Sequence, residues 1–236
     1  QLDVLFNETV DLTTSQTLAN YSANNGLGTP AAAVRDAANL SLVHLTFATA
    51  FTDGLLNTLT VMNVQDASSN AITTATSNFT YFAPVTAAYK NIIINEIFAD
   101  PTPQVTLPLF EFTEIYNRGT SAFNLNGWKF TDGSSTATLS SYNLVPGHYL
   151  ILCPVADTAS YSPYGPVMGL GSFPSLNNSD DHLYLSDNLL TLIDSVNYSD
   201  SWYQDAGKKD GGWTLELINP NAPSGCPLQN NWIASI

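Results

Sequence analysis

The sequence predicts an all-β protein made of two immunoglobulin-like β-sandwich domains in tandem. Short apolar runs are separated by clusters of Asn, Gly, Asp and Ser, and many of the runs alternate apolar and polar residues with the period of a β-strand. At 236 residues the chain is long for a single domain, and no stretch carries a convincing long amphipathic helix. We therefore expect one sandwich over residues 1–85 and a second over residues 86–236.

The first predicted domain contains four alternating runs, "LDVLFN", "SLVHLTFA", "NTLTVMNVQD" and "NFTYFAP". In the second of these, Val43, Leu45 and Phe47 alternate with His44 and Thr46, which indicates one buried and one exposed face. Such runs with turn residues between them are typical of an antiparallel sandwich. Residues 29–39, "TPAAAVRDAAN", are the only helix-like piece, and their length allows a turn or two.

A segment of small residues and proline, "APVTAAYKN" at residues 83–91, is the best candidate for a linker. After it come the runs "IIINEIFA", "LFEFTEIYN", "NLNGWKFTD", "HYLILCP", "HLYLSD", "TLIDSVNYS" and "WTLELINP". Seven runs in about 135 residues match the strand count of an immunoglobulin-like sandwich.

The charge of the chain restricts its partners. Six basic residues oppose 20 acidic ones, for a formal net charge of -14. Because binding to a phosphate backbone needs clustered Lys or Arg, we expect no nucleic acid partner. Cations, basic proteins and neutral glycans remain compatible with this charge. Much of the polar surface comes from Ser, Thr and Asn, which is common in exported proteins.

Membrane and targeting signals are not evident in the sequence. No run of apolar residues is long enough for a membrane span. The first residues, "QLDVLFNETVD", contain neither a basic n-region nor an apolar h-region, so any signal peptide has been removed or lies outside this sequence.

Acidic residues inside apolar runs are the candidate metal ligands. In "FEFTEIYN", Glu111 and Glu114 are three positions apart, so a strand sends them to opposite faces and they form no acid/base dyad. Glu96 and Glu114 approach one another if their strands are neighbours. With Asp100 or Glu111 at the strand ends, they would supply part of a calcium shell. The alternative is that each glutamate accepts hydrogen bonds from turn amides or pairs with a basic side chain.

An aromatic loop is the candidate ligand-binding site. The turn-rich segment "NYSDSWYQDAGKKDGGW" would present Trp202 and Tyr203, and exposed aromatic rings stack on sugars. The competing interpretation is that these rings pack in the core, as we expect for Trp128 and Trp213 within strand runs.

Nucleophilic and zinc chemistry have little support. His44, His148 and His182 lie far apart in the chain, unlike the ligands of a zinc site, and no Gly-x-Ser-x-Gly elbow nominates a serine nucleophile. Cys153 and Cys226 allow one pairing or two buried thiols. A bridge between them would close a loop of about 70 residues and stabilise the protein by roughly 4 kcal/mol in the chain-entropy model.

Motifs spread over residues 92–235 resemble a bacterial lamin tail domain of the type found in secreted Bacteroidetes proteins. They are "INEIFADPTP", "FEFTEIYNRG", "LNGWKFTD", "LVPGHYLIL", "LNNSDDHLYL", "IDSVNYSDSWY" and "GGWTLELINP", with a trailing "CPLQNNWIAS". Residues 1–83 are similar to the bacterial Ig-like domains that precede such modules, through "FNETVD", "LANYS" and "LTVMNVQDASSNAI". The resemblance implies an immunoglobulin-like fold and a non-catalytic module of extracellular or cell-surface proteins.

The sequence thus predicts a non-enzymatic structural or interaction module, secreted or at the bacterial cell surface, that mediates docking or adhesion to a protein or glycan partner. It predicts no obligatory cofactor, with calcium as the one candidate ion. Two alternatives are an extracellular polysaccharide-binding module and an accessory domain of a hydrolase or nuclease located elsewhere in a longer chain. The fold alone does not choose among them.

Overall fold

A computed structural model describes residues 1–222 and 228–236 and consists mainly of short β-strands. The all-β prediction is confirmed. The chain divides into two units, Gln1–Ala83 and Pro84–Ile236. Among the described residues, no helix has the length and apolar character needed to cross a membrane.

The first unit contains two three-stranded antiparallel sheets, in the orders β1-β4-β3 and β2-β5-β6. Its strands are β1 (Leu2–Leu5), β2 (Tyr21–Ala23), β3 (Ala32–Arg35), β4 (Leu42–Thr46), β5 (Leu56–Val61) and β6 (Ala75–Thr80). One-turn helix α1 (Leu12–Ser15) begins where the Asp11 side chain accepts a hydrogen bond from the Thr14 amide at 2.8 Å. Val43, Leu45 and Leu59 lie in the core of this unit.

The helix-like segment at residues 29–39 contains strand β3 (Ala32–Arg35) and no helical turn, so that prediction is wrong. Ala33 pairs with Leu45 of β4 and is buried. The pairing satisfies the backbone hydrogen bonds of β3 and buries its small side chains, and this tertiary gain exceeds the weak helix propensity of the alanines.

His44 bridges two aspartates on the outside of the first unit. His44 Nδ1 lies 2.8 Å from Asp3 Oδ1, and His44 Nε2 lies 3.2 Å from Asp36 Oδ2. Hydrogen bonds to both carboxylates raise the pKa of the His44 imidazole. Both ring nitrogens are therefore occupied by opposing carboxylates, which fits a structural role for His44.

In the second unit, the described strands form a four-stranded sheet, a six-stranded sheet and a two-stranded ribbon. The strands are β7 (Ile92–Phe98), β8 (Phe112–Asn117), β9 (Phe123–Asn124), β10 (Lys129–Thr131), β11 (Thr136–Thr138), β12 (Asn143–Leu144), β13 (Tyr149–Pro154), β14 (Val167–Leu170), β15 (Asp180–Ser186), β16 (Leu192–Ser199), β17 (Leu215–Leu217) and β18 (Trp232–Ala234). One-turn helix α2 (Thr158–Tyr161) connects β13 to β14. Four single 3-10 turns complete the described elements of the chain, at Leu18–Asn20, Val155–Asp157, Asp200–Tyr203 and Leu228–Asn231.

The six-stranded sheet has the order β14-β13-β8-β7-β17-β18, and the four-stranded sheet has the order β11-β10-β15-β16. All described pairs are antiparallel except β13 with β14, which is parallel because the chain crosses through α2 between them. The ribbon pairs β9 with β12. Sequence alternation missed β11, β12, β14 and β18, because strands of two to four residues hold too few positions to show a period.

A β-bulge in β7 changes which side chains face the core. Ile94 pairs with Ile115 and Glu96 pairs with Glu114, so Asn95 is the extra residue between two paired positions. Before the bulge Ile92 and Ile94 belong to the main core, and after it Ile97 does. The extra residue therefore turns Glu96 to the opposite side of the sheet.

A buried ion pair joins the start of β7 to β16. Lys90 donates to Asp194, whose side chain is 1% exposed. The same carboxylate accepts the amides of Ile94 at 2.7 Å and Ser195 at 2.6 Å. Lys90 and the buried Ala87 lie in the segment predicted as a linker, so most of that segment belongs to the second unit.

We expect Lys90→Ala to lower the free energy of unfolding of the second unit by about 3 to 5 kcal/mol, because it leaves the Asp194 carboxylate buried without a counter-charge. All four tryptophans lie in the second unit, so urea unfolding followed by tryptophan fluorescence reports on it. Lys209→Ala is the control, since Lys209 pairs with Asp200 at 3.9 Å on the surface and should change stability by less than about 1 kcal/mol. Equal effects of the two variants would contradict a central role for the Lys90 pair.

Two glycines allow close contact between two loops of the second unit. The Gly212 amide donates to the Asp100 carbonyl at 2.8 Å. A Cβ on Gly211 would lie 1.9 Å from the Thr102 carbonyl oxygen, and Gly211 has a φ of +107°. This position requires glycine for both steric and conformational reasons.

Gly211→Ala should therefore destabilise the second unit more than Gly133→Ala. Gly133 also has a positive φ, of +87°, but a Cβ there would meet nothing within 4 Å. The Gly133→Ala control should lower the free energy of unfolding by about 1 to 2 kcal/mol, the backbone cost of a positive φ for a residue with a Cβ. Gly211→Ala adds a clash with the Thr102 carbonyl. Thermal unfolding of both variants, followed by tryptophan fluorescence, measures the difference. Similar midpoints would show that the two loops separate without cost.

Candidate interaction surface

The six-stranded sheet has two different faces. Side chains such as Ile115 and Leu150 point toward the four-stranded sheet and form the main core. Their strand neighbours Glu114, Tyr149 and Ile151 point the other way, because successive residues of a strand alternate. We call the second side the outer face.

Three glutamates lie side by side on the outer face. Glu96 of β7 is directly opposite Glu114 of β8 and also directly opposite Glu216 of β17. Opposite positions on antiparallel strands place Cβ atoms about 4.5 to 5.5 Å apart. Glu114, Glu96 and Glu216 thus form a carboxylate row across three adjacent strands. The sequence-based expectation that Glu96 and Glu114 approach one another is confirmed by this register.

Few donors compensate the carboxylate row. The Asn95 side-chain amide donates to Glu114 Oε1 at 3.0 Å, and the Thr214 hydroxyl donates to Glu216 Oε1 at 3.4 Å. None of the ion pairs among the described residues involves a glutamate of the row. The alternative expectation, in which each glutamate pairs with a basic side chain of this chain, is therefore not met at these three positions.

Burial and mutual repulsion disfavour the charged state of the row. Burial raises the pKa of Glu96 to about 7, and the charges of Glu114 and Glu216 add to this effect. Burial also raises the pKa of Glu114, with Glu216 contributing in the same direction and the Asn95 hydrogen bond opposing it. The pKa values of Glu96 and Glu114 therefore lie closer to neutral pH than those of isolated glutamates, and a cation placed against the row is stabilised.

One part of the outer face is covered by a small second core. Phe98, Phe112, Ile151, Cys153 and Tyr161 form this apolar cluster. The Phe112 and Tyr161 rings are 4.9 Å apart, and the Tyr161 hydroxyl donates to the Phe110 carbonyl. Helix α2 and the segment before β8 thus bury this region and leave the carboxylate row at its border.

A pocket opens next to Glu114. It has a volume of about 220 Å³, with Glu114, His148, Tyr149, Ile151 and Tyr164 among its lining residues. Tyr149 and Tyr164 are 41% and 54% exposed, whereas Ile151 is buried at 5%. Tyr149 also stacks on Tyr116 with ring centroids 4.5 Å apart, which fixes the ring of Tyr149 in place. The pocket therefore combines aromatic walls with one carboxylate.

The four predicted calcium ligands do not come together. Glu96 and Glu114 are in the row, whereas the Glu111 carboxylate accepts the Leu176 amide at 3.0 Å and has its pKa raised by burial and by Asp181 and Asp100. Within residues 1–222 and 228–236, no group of three or more His, Cys, Asp or Glu side chains is placed to hold a metal ion. Calcium binding by fewer of these carboxylates stays a prediction.

The predicted aromatic loop is largely packed inward. Tyr203 is 4% exposed and its hydroxyl donates to the Trp213 carbonyl at 3.1 Å, so it offers no face to a sugar ring and this part of the prediction is wrong. The physical reason is the 3-10 turn at Asp200–Tyr203, which directs the ring into the core. Trp202 is half-buried against Trp232, and glycan binding there stays a prediction.

The alternatives of a Cys153–Cys226 bridge and two thiols both stay predictions, because Cys226 lies outside the described residues. Cys153 is buried on β13, and burial raises the pKa of its thiol to about 11. A thiol with this pKa is a poor nucleophile at neutral pH.

Sequence reasoning missed Glu216 and the tyrosines of the pocket. The signal for Glu216 was available, since each of the runs "INEIF", "FTEIY" and "TLELI" carries one glutamate directly before an apolar residue. What the sequence does not contain is the pairing of the three strands, which aligns these glutamates. Tyr149 and Tyr164 are brought together by the parallel crossover through α2, which has no sequence signal of its own.

Comparison with known families supports the resemblance drawn from the motifs. The family model described as Lamin Tail Domain matches residues 85–200. Residues 85–200 of the second unit are thus similar to the lamin tail domain family. The match covers β7, β8, β13 and β15, and hence two of the three glutamates of the row and the whole pocket. Lamin tail domains are non-enzymatic and have an immunoglobulin-like fold.

Two solved structures align with much of the chain. A DUF4876 family protein from Bacteroides thetaiotaomicron aligns over 99% of this chain and 91% of its own, with 13% identity and a TM-score of 0.38. Domains 1–6 of the surface layer protein SbsC align over 84% of this chain and 38% of theirs, with 13% identity and a TM-score of 0.30. Neither alignment is close enough to support an argument about function. No curated protein matches the sequence.

The carboxylate row predicts a pH-dependent stability. Because the pKa of Glu96 is raised in the folded state, the folded protein binds more protons than the unfolded chain between about pH 4.5 and 7. The contribution of Glu96 to the free energy of unfolding therefore falls as pH rises through this range. It is lowest above about pH 7. Glu96→Gln should raise the free energy of unfolding by about 1 to 3 kcal/mol at pH 8 and leave it nearly unchanged at pH 4.5.

Urea unfolding followed by tryptophan fluorescence at the two pH values tests this expectation. Asp210→Asn is the matched control, because it also removes one negative charge from the second unit but at an exposed position outside the row. An equal rise in the free energy of unfolding in both variants would show that burial and repulsion in the row do not destabilise the protein. A rise from Glu96→Gln that does not depend on pH would show the same.

Proposed function

We propose that this protein is a non-catalytic interaction module, secreted or displayed at the bacterial cell surface, whose lamin tail domain docks a partner protein. The observation that carries the proposal is the partly uncovered outer face of that domain, where aromatic rings and unpaired carboxylates lie together. Exposed aromatic rings are enriched in protein interfaces, and carboxylates without a counter-charge complement a positively charged partner.

The arrangement of the outer face favours binding over catalysis. Two carboxylates with separated pKa values can act as acid and base, but hydrolysis also needs a bound substrate and stabilisation of the developing negative charge. The row supplies only negative charge, and its Asn95 and Thr214 donors are engaged with the glutamates themselves. A developing oxyanion would be destabilised here, whereas a cation would be stabilised.

An assay against ester, glycoside, peptide and nucleic acid substrates tests the absence of catalysis. We expect no turnover above buffer, with and without divalent cations. Turnover that Glu96→Gln or Glu114→Gln abolishes would overturn the proposal, because those substitutions remove only the carboxylates of the row.

Docking is tested by site-specific photo-crosslinking. A photo-reactive amino acid at Tyr116, on the outer face, should give a discrete adduct with a partner when the protein is incubated with the extracellular fraction of its source cells. The same group at Val34, which is 51% exposed on the first unit, is the control. Adducts of equal yield from both positions, or none from Tyr116, would contradict docking through the outer face.

A further inference from the structure

The pocket beside the carboxylate row has room for a side chain and a chemistry that selects one. Its volume of about 220 Å³ holds roughly seven water-sized groups, which is about what an arginine side chain needs beyond its Cβ. The floor contains the buried Ile151, and the exposed rings of Tyr149 and Tyr164 stand at its rim. Glu114 lines the side that faces the row.

These walls distinguish among cations. A hard metal ion such as calcium requires six to eight oxygen ligands, and Glu114 is the only carboxylate among the described residues that line the pocket. A guanidinium is planar, weakly hydrated and able to stack on an aromatic ring while it pairs with a carboxylate through two N–H groups. The lysine ammonium is compact and strongly hydrated, so it gains less from aromatic walls.

The basic side chains of the protein itself are engaged elsewhere. Each of the six has a different partner: Arg35 the Val10 carbonyl, Lys90 the Asp194 carboxylate, Arg118 the Ala222 carbonyl, Lys129 the Thr138 hydroxyl, Lys208 the Ser235 carbonyl and Lys209 the Asp200 carboxylate. None of these six side chains therefore neutralises the row, and the other basic side chain at the pocket is the imidazole of His148. The net charge of -14 attracts a basic partner over longer distances as well.

We propose that the pocket between Tyr149 and Tyr164 binds an arginine side chain from a basic segment of a partner protein, with Glu114 pairing to the guanidinium. Glu96 and Glu216 add negative potential from the adjacent strands without touching the arginine. This assignment rests on the proposed docking function and specifies the chemistry of the partner.

Titration of the 236-residue protein with capped Gly-Arg-Arg-Gly, followed by NMR of the backbone amides, tests the assignment at pH 8 and low salt. We expect the largest shifts at Glu114, Tyr149 and Tyr164, and an affinity at least about threefold higher than for the matching Gly-Lys-Lys-Gly peptide. Equal affinity for the two peptides would overturn arginine selection. Shifts confined to other surfaces, or no shifts at millimolar peptide, would overturn the pocket assignment.

Variants separate the pocket from general charge attraction. Glu114→Gln should weaken binding of the arginine peptide about tenfold, and Tyr149→Ala should weaken it by about threefold or more. Asp210→Asn removes the same charge as Glu114→Gln away from the pocket, and Tyr89→Ala removes an exposed ring that does not line it. Both controls should bind normally. If all four variants lose affinity equally, the attraction is electrostatic and unspecific, and the assignment fails.

The outcomes for the pocket and for the proposed function remain distinguishable. If photo-crosslinking at Tyr116 captures a partner but Glu114→Gln leaves the yield unchanged, docking stands and the arginine pocket is wrong. If the arginine peptide binds as expected while the substrate panel shows turnover that depends on the row, the pocket stands and the non-catalytic function is wrong.

Discussion

The single extra residue in β7 determines which side chains the second unit presents on its outer face. With strict alternation Glu96 would lie on the same side as Ile92 and Ile94, inside the main core. The bulge at Asn95 shifts the phase, so that Ile97 continues the core and Glu96 meets Glu114 on the outer face. The Asn95 side chain then donates to the carboxylate of Glu114, which ties the bulge to the row that it creates. The alignment of the three glutamates is thus a consequence of how β7 pairs with β8 and β17.

This arrangement costs stability and has to be offset by the rest of the unit. Like charges on directly opposed strand positions repel, and partial burial of Glu96 adds a desolvation cost. On the other side of the same strand, the buried Asp194 carboxylate accepts the Ile94 amide and binds Lys90, and the main core packs behind it. A strand that is held so firmly on one face tolerates unfavourable groups on the other, which is how proteins commonly accommodate functional sites.

The sequence was sufficient for the fold class and the family but only partly for the site. Period-two alternation and the motif series indicated β-structure and the lamin tail domain, because both depend on local order along the chain. The approach of Glu96 to Glu114 was also accessible from strand geometry. The bulge, the contribution of Glu216 and the pocket around Tyr149 depend on strand pairing between distant segments, and Tyr203 was misjudged because a 3-10 turn buries its ring. Pairing is set by tertiary packing, which a single sequence does not display.

The same repulsion that strains the free domain supplies a driving force for binding. A cation next to Glu114 lowers the free energy of the charged row, so part of the binding energy comes from relief of a cost already present in the folded protein. Any ligand that binds only the folded state raises the free energy of unfolding by RT ln(1 + L/Kd), where L is the free ligand concentration. The substitution Glu96→Gln and a bound arginine therefore both reduce the repulsion among the carboxylates of the row. Their effects on the free energy of unfolding should be less than additive. A pocket that merely adjoined the row, without sharing its electrostatics, would leave them independent.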